Sequence, residues 1–187
     1  VAEAIPAALR ARDQWLVWKY ELRGDDWTKV PYRDQHHRAR TDDPATWLSF
    51  NTALTFYRDQ GFDGIGFVFH EGDPYTGIDF DACTVPHVGD LTLAAMIDVN
   101  ALDSYAEMTP SGRGVHVIVR AVMPAGKGRK HTRAKVEMYD RGRFFTMTGQ
   151  RLENAHAEPQ HRQDELDALY DRLFPEPEPA PATNGHS

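Results

Sequence analysis

Two aspartates stand one residue apart in "GIDFDACTVP", residues 77–86, with Ile78 and Phe80 alternating against them. A strand points every second side chain to the same side, so this stretch predicts a strand with Asp79 and Asp81 on one face and two apolar groups on the other. Like charges held together need a positive neighbour, and carboxylate oxygens are hard ligands suited to a divalent cation. A D-x-D alone is also a common exposed acid pair, so the chemistry depends on what else the fold brings to it.

Two further stretches supply candidates. In "TPSGRGVHVIV", residues 109–119, Ser111 and a Gly-Arg-Gly turn directly precede an apolar strand that His116 opens. Gly112 and Gly114 let backbone N–H groups approach an anion, and Arg113 adds charge. A lone histidine there is usually a structural or surface residue, but beside such a turn His116 could donate a hydrogen bond to a phosphate. In "VEMYDRGRFF", residues 136–145, alternation puts Val136 and Met138 on one side and Glu137 and Tyr139 on the other. Asp140 is an alternative third acid, ranked behind Glu137 because it falls on a turn. Three carboxylates on neighbouring strands, with Arg and His nearby, are what two-metal phosphoryl transfer requires, and basic groups would steady a triphosphate. Lys29, a strand lysine among apolar residues, and Arg143, beside Glu137, are candidates for that contact. Arg129, Lys130 and Arg133 would suit sequence-independent contact with a nucleic-acid backbone.

The elements that position these residues follow from pattern. Residues 13–22 and 27–32 are rich in aromatic and branched side chains and predict a strand hairpin across "RGDD". Residues 41–61 predict one helix, with Asp43 as N-cap, Pro44 in the first turn and Gly61 at the end. Strands are predicted at 64–70 and 75–81, a helix at 88–102, strands on either side of the 110–114 turn, and a mobile loop at 125–134. The last strands, "KVEMYD" and "RFFTMTG", predict a hairpin turning at "DRG", and 163–174 an amphipathic helix. Residues 1–174 read as one domain and 175–187 as a disordered Pro-rich tail or linker. Strands outnumber helices, so the expected fold class is α+β with a mainly antiparallel or mixed sheet and flanking helices. The four tryptophans are expected in the core rather than as stacking platforms.

Bulk properties narrow the function classes. The 187 residues, 41% hydrophobic and 26% charged, suit a globular protein with a sizeable core. No apolar run approaches the ~20 residues that span a bilayer, and the first residues lack the apolar segment of a signal peptide. The chain does not begin with Met, as a trimmed piece would not. The single cysteine, Cys83, allows neither an internal disulfide nor a cysteine zinc cluster, which fits a reducing cytoplasm. Net charge is −7. Residues 111–143 nevertheless carry nine Lys/Arg against two acids, a local +7 on a body of −14. Such a field can hold a polyanion.

"GIDFD", "SGRGVH" and "VEMYD-GRFFTMTG", in that order, resemble the three motifs of the archaeo-eukaryotic primase superfamily. The flanks "WLVWKY", "WTKVPY", "DPATWLSF" and "GIGFVF" resemble the primase-polymerase domains of phage and plasmid replication proteins. The likeness runs from about Gln14 to Gly149. It implies an RRM-like catalytic core and a DNA-directed nucleotidyltransferase that begins and extends strands. It implies Asp79, Asp81 and Glu137 as ligands of two Mg²⁺ or Mn²⁺ ions, and His116 as a contact of the incoming nucleotide's phosphates, with Ser111, Arg113 and Gly114 helping. It implies single-stranded DNA template, primer and nucleoside triphosphates as partners, and a helicase or helical domain in the longer protein. Ser111 lies five residues before His116, wider than the family's tightest spacing. The competing classes are a metal-dependent nuclease, which needs no triphosphate pocket, and a non-catalytic nucleic-acid-binding module, which leaves the acids uncompensated. An initiator endonuclease with a Tyr139 nucleophile lacks its His-x-His site.

Overall fold

The computed structural model describes residues 2–175 apart from 125 and 127, so the predicted tail lies, from residue 176 on, outside the described residues. Among the described residues, nine strands and four α-helices run in the order α1 (Ala7–Arg10), β1 (Trp15–Arg23), β2 (Asp26–Tyr32), α2 (Phe50–Asp59), β3 (Gly64–Phe69), β4 (Tyr75–Phe80), α3 (Leu93–Leu102), β5 (Tyr105–Met108), β6 (Val115–Arg120), β7 (Arg129–His131), β8 (Val136–Tyr139), β9 (Arg143–Met147) and α4 (Gln163–Leu173). They build two sheets, β2-β1-β3-β9 and β5-β6-β4-β8-β7. Every paired strand is antiparallel. The fold is α+β, as the strand-rich pattern predicts. No helix among the described residues is long and apolar enough to cross a membrane.

Alternation gives the five-stranded sheet two different faces. Ile78, Phe80, Val117, Val136 and Met138 pack with Val99 and Leu102 of α3 and Leu166, Leu169 and Tyr170 of α4. The other face meets the second sheet, where Tyr75, Tyr105 and Ile118 join Phe67, Phe69 and Phe145. Gly77 makes this approach possible. A Cβ there would sit 2.4 Å from the Phe69 ring and 2.5 Å from that of Phe145, closer than atoms pack. α2 adds Phe50 and Ala53 to the same core beside Trp15.

The chain crosses between sheets twice, and both crossings rest on an aspartate. β3 and β4 lie in different sheets, and Asp73 between them accepts hydrogen bonds from the His70 and Tyr75 amides and the Gln14 side chain. Residues 136–147 do not form the predicted hairpin. β8 pairs with β4 and β7, whereas β9 pairs with β3. At this crossing the buried Asp140 accepts from the Met123 amide and pairs with Arg141, and Arg141 reaches Glu71 of the first crossing at 2.7 Å. Asp140 is therefore a structural acid, pointing away from the Glu137 side of its strand.

Other expectations are corrected locally. The helix predicted at 41–61 is broken. Asp43 caps only a 3₁₀ turn at Pro44–Thr46, Leu48 exchanges two backbone hydrogen bonds with Trp15, and α2 starts afresh with Ser49 capping the Thr52 amide. Pairing with β1 and a second N-cap outweigh continuous helical propensity. α3 begins only at Leu93, behind a Thr92 cap, rather than at residue 88. The predicted loop 125–134 contains β7, which pairs with β8. Trp15 and Trp18 are buried and Trp47 half-buried, but Trp27 is exposed.

Candidate active site

Register across the five-stranded sheet sets a row of polar residues. Glu107 of β5 pairs with His116 of β6, His116 with Asp79 of β4, Asp79 with Glu137 of β8, and Glu137 with Lys130 of β7. Directly opposed residues project from the same face, so all five line one side of the sheet. Asp81 follows two residues after Asp79, just past the strand, where its amide bonds to the Lys135 carbonyl at 2.9 Å. The chain then bends through Ala82 at φ 48°, a left-handed conformation costly for a residue with a Cβ.

Asp79 is the strained member. Its side chain is 28% exposed, and among the described residues no hydrogen-bond donor reaches its buried Oδ1. His116 Nε2 lies 3.6 Å from it, too far for a hydrogen bond. Burial, with the Asp81 and Glu137 charges adding to it, pushes Asp79 up to about 7, against the pull of Lys29 and Lys130. Glu137 is balanced differently. Burial pushes it upward, but the Lys130 ammonium and the Tyr139 hydroxyl (2.8 Å) both bond to it, and with Arg143 nearby they hold it below the usual range.

His116 is buried, stacked on Phe145 (4.5 Å between centroids, 22° between planes). Its Nδ1 lies 3.0 Å from the Thr146 carbonyl. A carbonyl only accepts, so Nδ1 carries the proton and the neutral ring turns a bare Nε2 toward Asp79. Burial, with the Lys29 charge adding to it, pushes His116 down to about 3. Donation from Nε2 to a phosphate therefore requires the ring to gain a second proton.

Lys29 crosses from the other sheet. Its ammonium lies 5.7 Å from the Trp18 ring. Burial pulls its pKa down, and the charges of Asp79 and Asp81 oppose that pull. The 109–114 turn abuts the same end of β4. The Cys83 amide donates to the Arg113 carbonyl at 2.8 Å, and a Cβ on Gly114 would meet the Phe80 carbonyl at 2.8 Å. Within the turn the Gly112 amide bonds to the Thr109 carbonyl, the Gly114 amide to Thr109 Oγ1 and the Arg113 amide to Ser111 Oγ. These amides are occupied, so what the turn offers an anion is the exposed Arg113 side chain and the Ser111 hydroxyl.

The three predicted backbone-binding residues separate. Arg129 bonds to the Tyr170 hydroxyl at 2.8 Å and lies 4.4 Å over the Phe174 ring, so it packs on α4. Lys130 points into the acid row. Arg133 is exposed in the β7–β8 turn. Arg143 lies 5.0 Å over the Tyr139 ring, beside Glu137. Glu107 and Lys130 carried no sequence signal for the acid row, because only strand pairing places them there.

The carboxylates suit a hard divalent cation in part. The orphaned Oδ1 of Asp79 and the adjacent Asp81 carboxylate are hard oxygen donors. Among the described residues, however, no three acid, histidine or cysteine side chains converge into a ready cage. Glu137 is turned to Lys130, whose ammonium supplies the positive charge at that end of the row.

No protein-family model matches the chain. Over 157 residues it is 32% identical to a DNA primase-polymerase of the Nitratiruptor phage NrS-1, an alignment covering 78% of this chain and 21% of that protein. The chain is thus related to a phage primase-polymerase and spans 21% of that relative's length.

Proposed function

We propose that this chain is a primase-polymerase catalytic domain that joins nucleotides on a single-stranded DNA template. The observation that carries the reading is the Asp79–Glu137 pair beside Asp81, with Asp79 Oδ1 unsatisfied, in a chain related to a phage primase-polymerase. In the reaction a 3′-hydroxyl attacks the α-phosphate of a nucleoside triphosphate and pyrophosphate leaves. Mg²⁺ or Mn²⁺ held by Asp79 and Asp81, with Glu137 joining after it releases Lys130, would lower the hydroxyl's pKa and neutralise phosphate charge.

The protein's own groups act by positioning and electrostatics. The β4–β8 register holds Asp79 and Glu137 opposite each other. Lys29, Arg113 and Arg143 surround the acids with charge for the triphosphate, and Ser111 adds a hydroxyl. His116, clamped by Thr146 and Phe145, backs Asp79. It donates to a phosphate from Nε2 once the incoming anion offsets the cost of charging the ring. Arg133, exposed in the β7–β8 turn, contacts the template backbone in this reading.

The test is extension of a labelled primer on a DNA template with dNTPs or NTPs and Mg²⁺ or Mn²⁺, comparing the parent chain with the double variant Asp79→Ala, Asp81→Ala. Template-dependent growth that the double variant loses supports the reading. Primer shortening that it loses instead assigns a nuclease. DNA binding with neither activity assigns a binding module.

A further inference from the structure

The acid row leaves an apolar surface of the first sheet unused. On the β1–β2 hairpin Trp27 is 67% exposed, Leu22 57% and Tyr20 40%. Large apolar side chains gain free energy on burial, and a cluster left open marks a contact surface. The register pairs Leu22 with Trp27 and Tyr20 with Lys29, so these four residues project from one face. The hairpin's other face is closed on itself. Lys19 lies 5.0 Å from both the Tyr32 and Phe62 rings, and Glu21 is taken by the Tyr32 hydroxyl and Arg38.

The open face is shaped and connected. Tyr20, Trp27 and Asp63 line a shallow concavity. The Tyr20 ring stands edge-on to Trp18 at 5.1 Å and 87°, and Asp63 accepts the Tyr20 amide at 2.6 Å, which fixes the ring's base. Asp63 also lines a second cavity, whose walls include Trp18, Gly64, Met147, Thr148 and Pro110, the last at the start of the turn carrying Ser111 and Arg113. On that face the Lys29 ammonium lies 5.7 Å from the Trp18 ring, and its charge acts on Asp79 and Asp81.

We infer that Trp27 and Tyr20 form a stacking platform for unpaired bases of the template strand, which runs from there past Lys29 to the acid row. The inference rests on the polymerase reading of that site. Every base has a π-face, so stacking holds a strand without selecting sequence, as a templating site needs. The hairpin tip carries Asp25 and Asp26 with Arg23 and offers no net attraction to phosphate. The platform therefore works through base faces, and its contribution is insensitive to salt, unlike backbone contacts.

The test measures fluorescence anisotropy of a labelled oligo-dT of about 16 nucleotides with the parent chain, Trp27→Ala, Trp27→Phe and Tyr20→Ala. Trp27→Ala is expected to weaken single-strand binding about tenfold, by the same factor at about 50 and about 200 mM salt. Trp27→Phe should recover most of it, and Tyr20→Ala should fall in the same direction. Duplex binding should change less. A Trp27→Ala variant that melts with the parent and binds the single strand equally well overturns the platform, as does an equal loss on duplex. If the parent chain binds single strand and extends primers while both alanine variants match it, only the platform fails. If the parent chain does neither, the polymerase reading fails with it.

Discussion

Asp79 and His116 occupy paired positions on β4 and β6, yet Asp79 Oδ1 and His116 Nε2 stand 3.6 Å apart with no hydrogen bond between them. Thr146 has fixed the histidine proton on Nδ1, so the two facing atoms are both acceptors. The site thus holds a buried carboxylate oxygen that none of the described residues satisfies.

Removing that charge should stabilise the fold and abolish the proposed activity. Asp79→Asn keeps the shape and deletes repulsion from Asp81 and Glu137. At pH 8 the metal-free variant is expected to be more stable than the parent chain by about 1–2 kcal/mol, read as a raised Tm, while primer extension falls to background. A variant less stable than the parent would contradict this account of the cluster.

Lys130 neutralises Glu137 while no metal is bound. Lys130→Met should free the carboxylate and tighten Mn²⁺ binding several-fold, about what removing one nearby partly screened charge gives. Isothermal titration calorimetry decides the sign. Weaker binding in the variant would make Lys130 a support of the metal site rather than a competitor.

Gly114→Ala places a methyl 2.8 Å from the Phe80 carbonyl and 3.2 Å from the Thr109 side chain. The 109–114 turn must then move off the end of β4. The expected cost is about 1–3 kcal/mol in stability, with a raised KM for nucleotide as Arg113 and Ser111 shift. Denaturant melts and steady-state kinetics test the two parts separately.

Arg129 is predicted to matter for folding and not for DNA. Arg129→Ala loses the Tyr170 hydrogen bond and the contact over Phe174, a loss of about 1–2 kcal/mol. DNA affinity at fixed salt should hold for the fraction that is folded. Arg133→Ala should do the reverse, flattening the salt dependence of binding with little change in Tm.

Glu107 supplies the pH prediction. Its buried carboxylate accepts from the Tyr105 hydroxyl and the Thr148 and Gly149 amides. Burial pushes its pKa up, and these donors only partly oppose the shift. A carboxyl raised in the folded state favours folding most when protonated in both states. Its contribution is fully present below the unfolded pKa of 4.5 and is lost as pH rises through the folded value. Glu107→Gln cannot titrate and turns an NH₂ toward a backbone donor, so it should be destabilised by about 1–3 kcal/mol. The parent chain's advantage over it should narrow as pH rises above 4.5. An advantage that widens instead would mean the three donors outweigh burial.

Alternation was legible without a structure wherever a pattern repeats along the chain. "GIDFD" and "VEMY" each carry their acids at strand spacing, and the structure places Asp79 and Glu137 on one face, opposite Ile78 and Met138. Capping signals were legible too, but Asp43 capped a single turn, because the pairing of Leu48 with Trp15 draws on residues more than thirty positions away. The "DRG" turn looked like a hairpin because its local chemistry is that of one. Whether the strands beside it pair depends on which sheet edge each one meets.

The sequence by itself determined which side chains could do chemistry and which side of each strand they take, since side-chain direction follows backbone period. Only the tertiary structure decided their company: Lys130 against Glu137, Glu107 beside His116, Lys29 from the other sheet, Trp27 left in solvent. Those relations come from strand register and sheet packing between distant segments, and no local pattern encodes which distant partner a strand will meet.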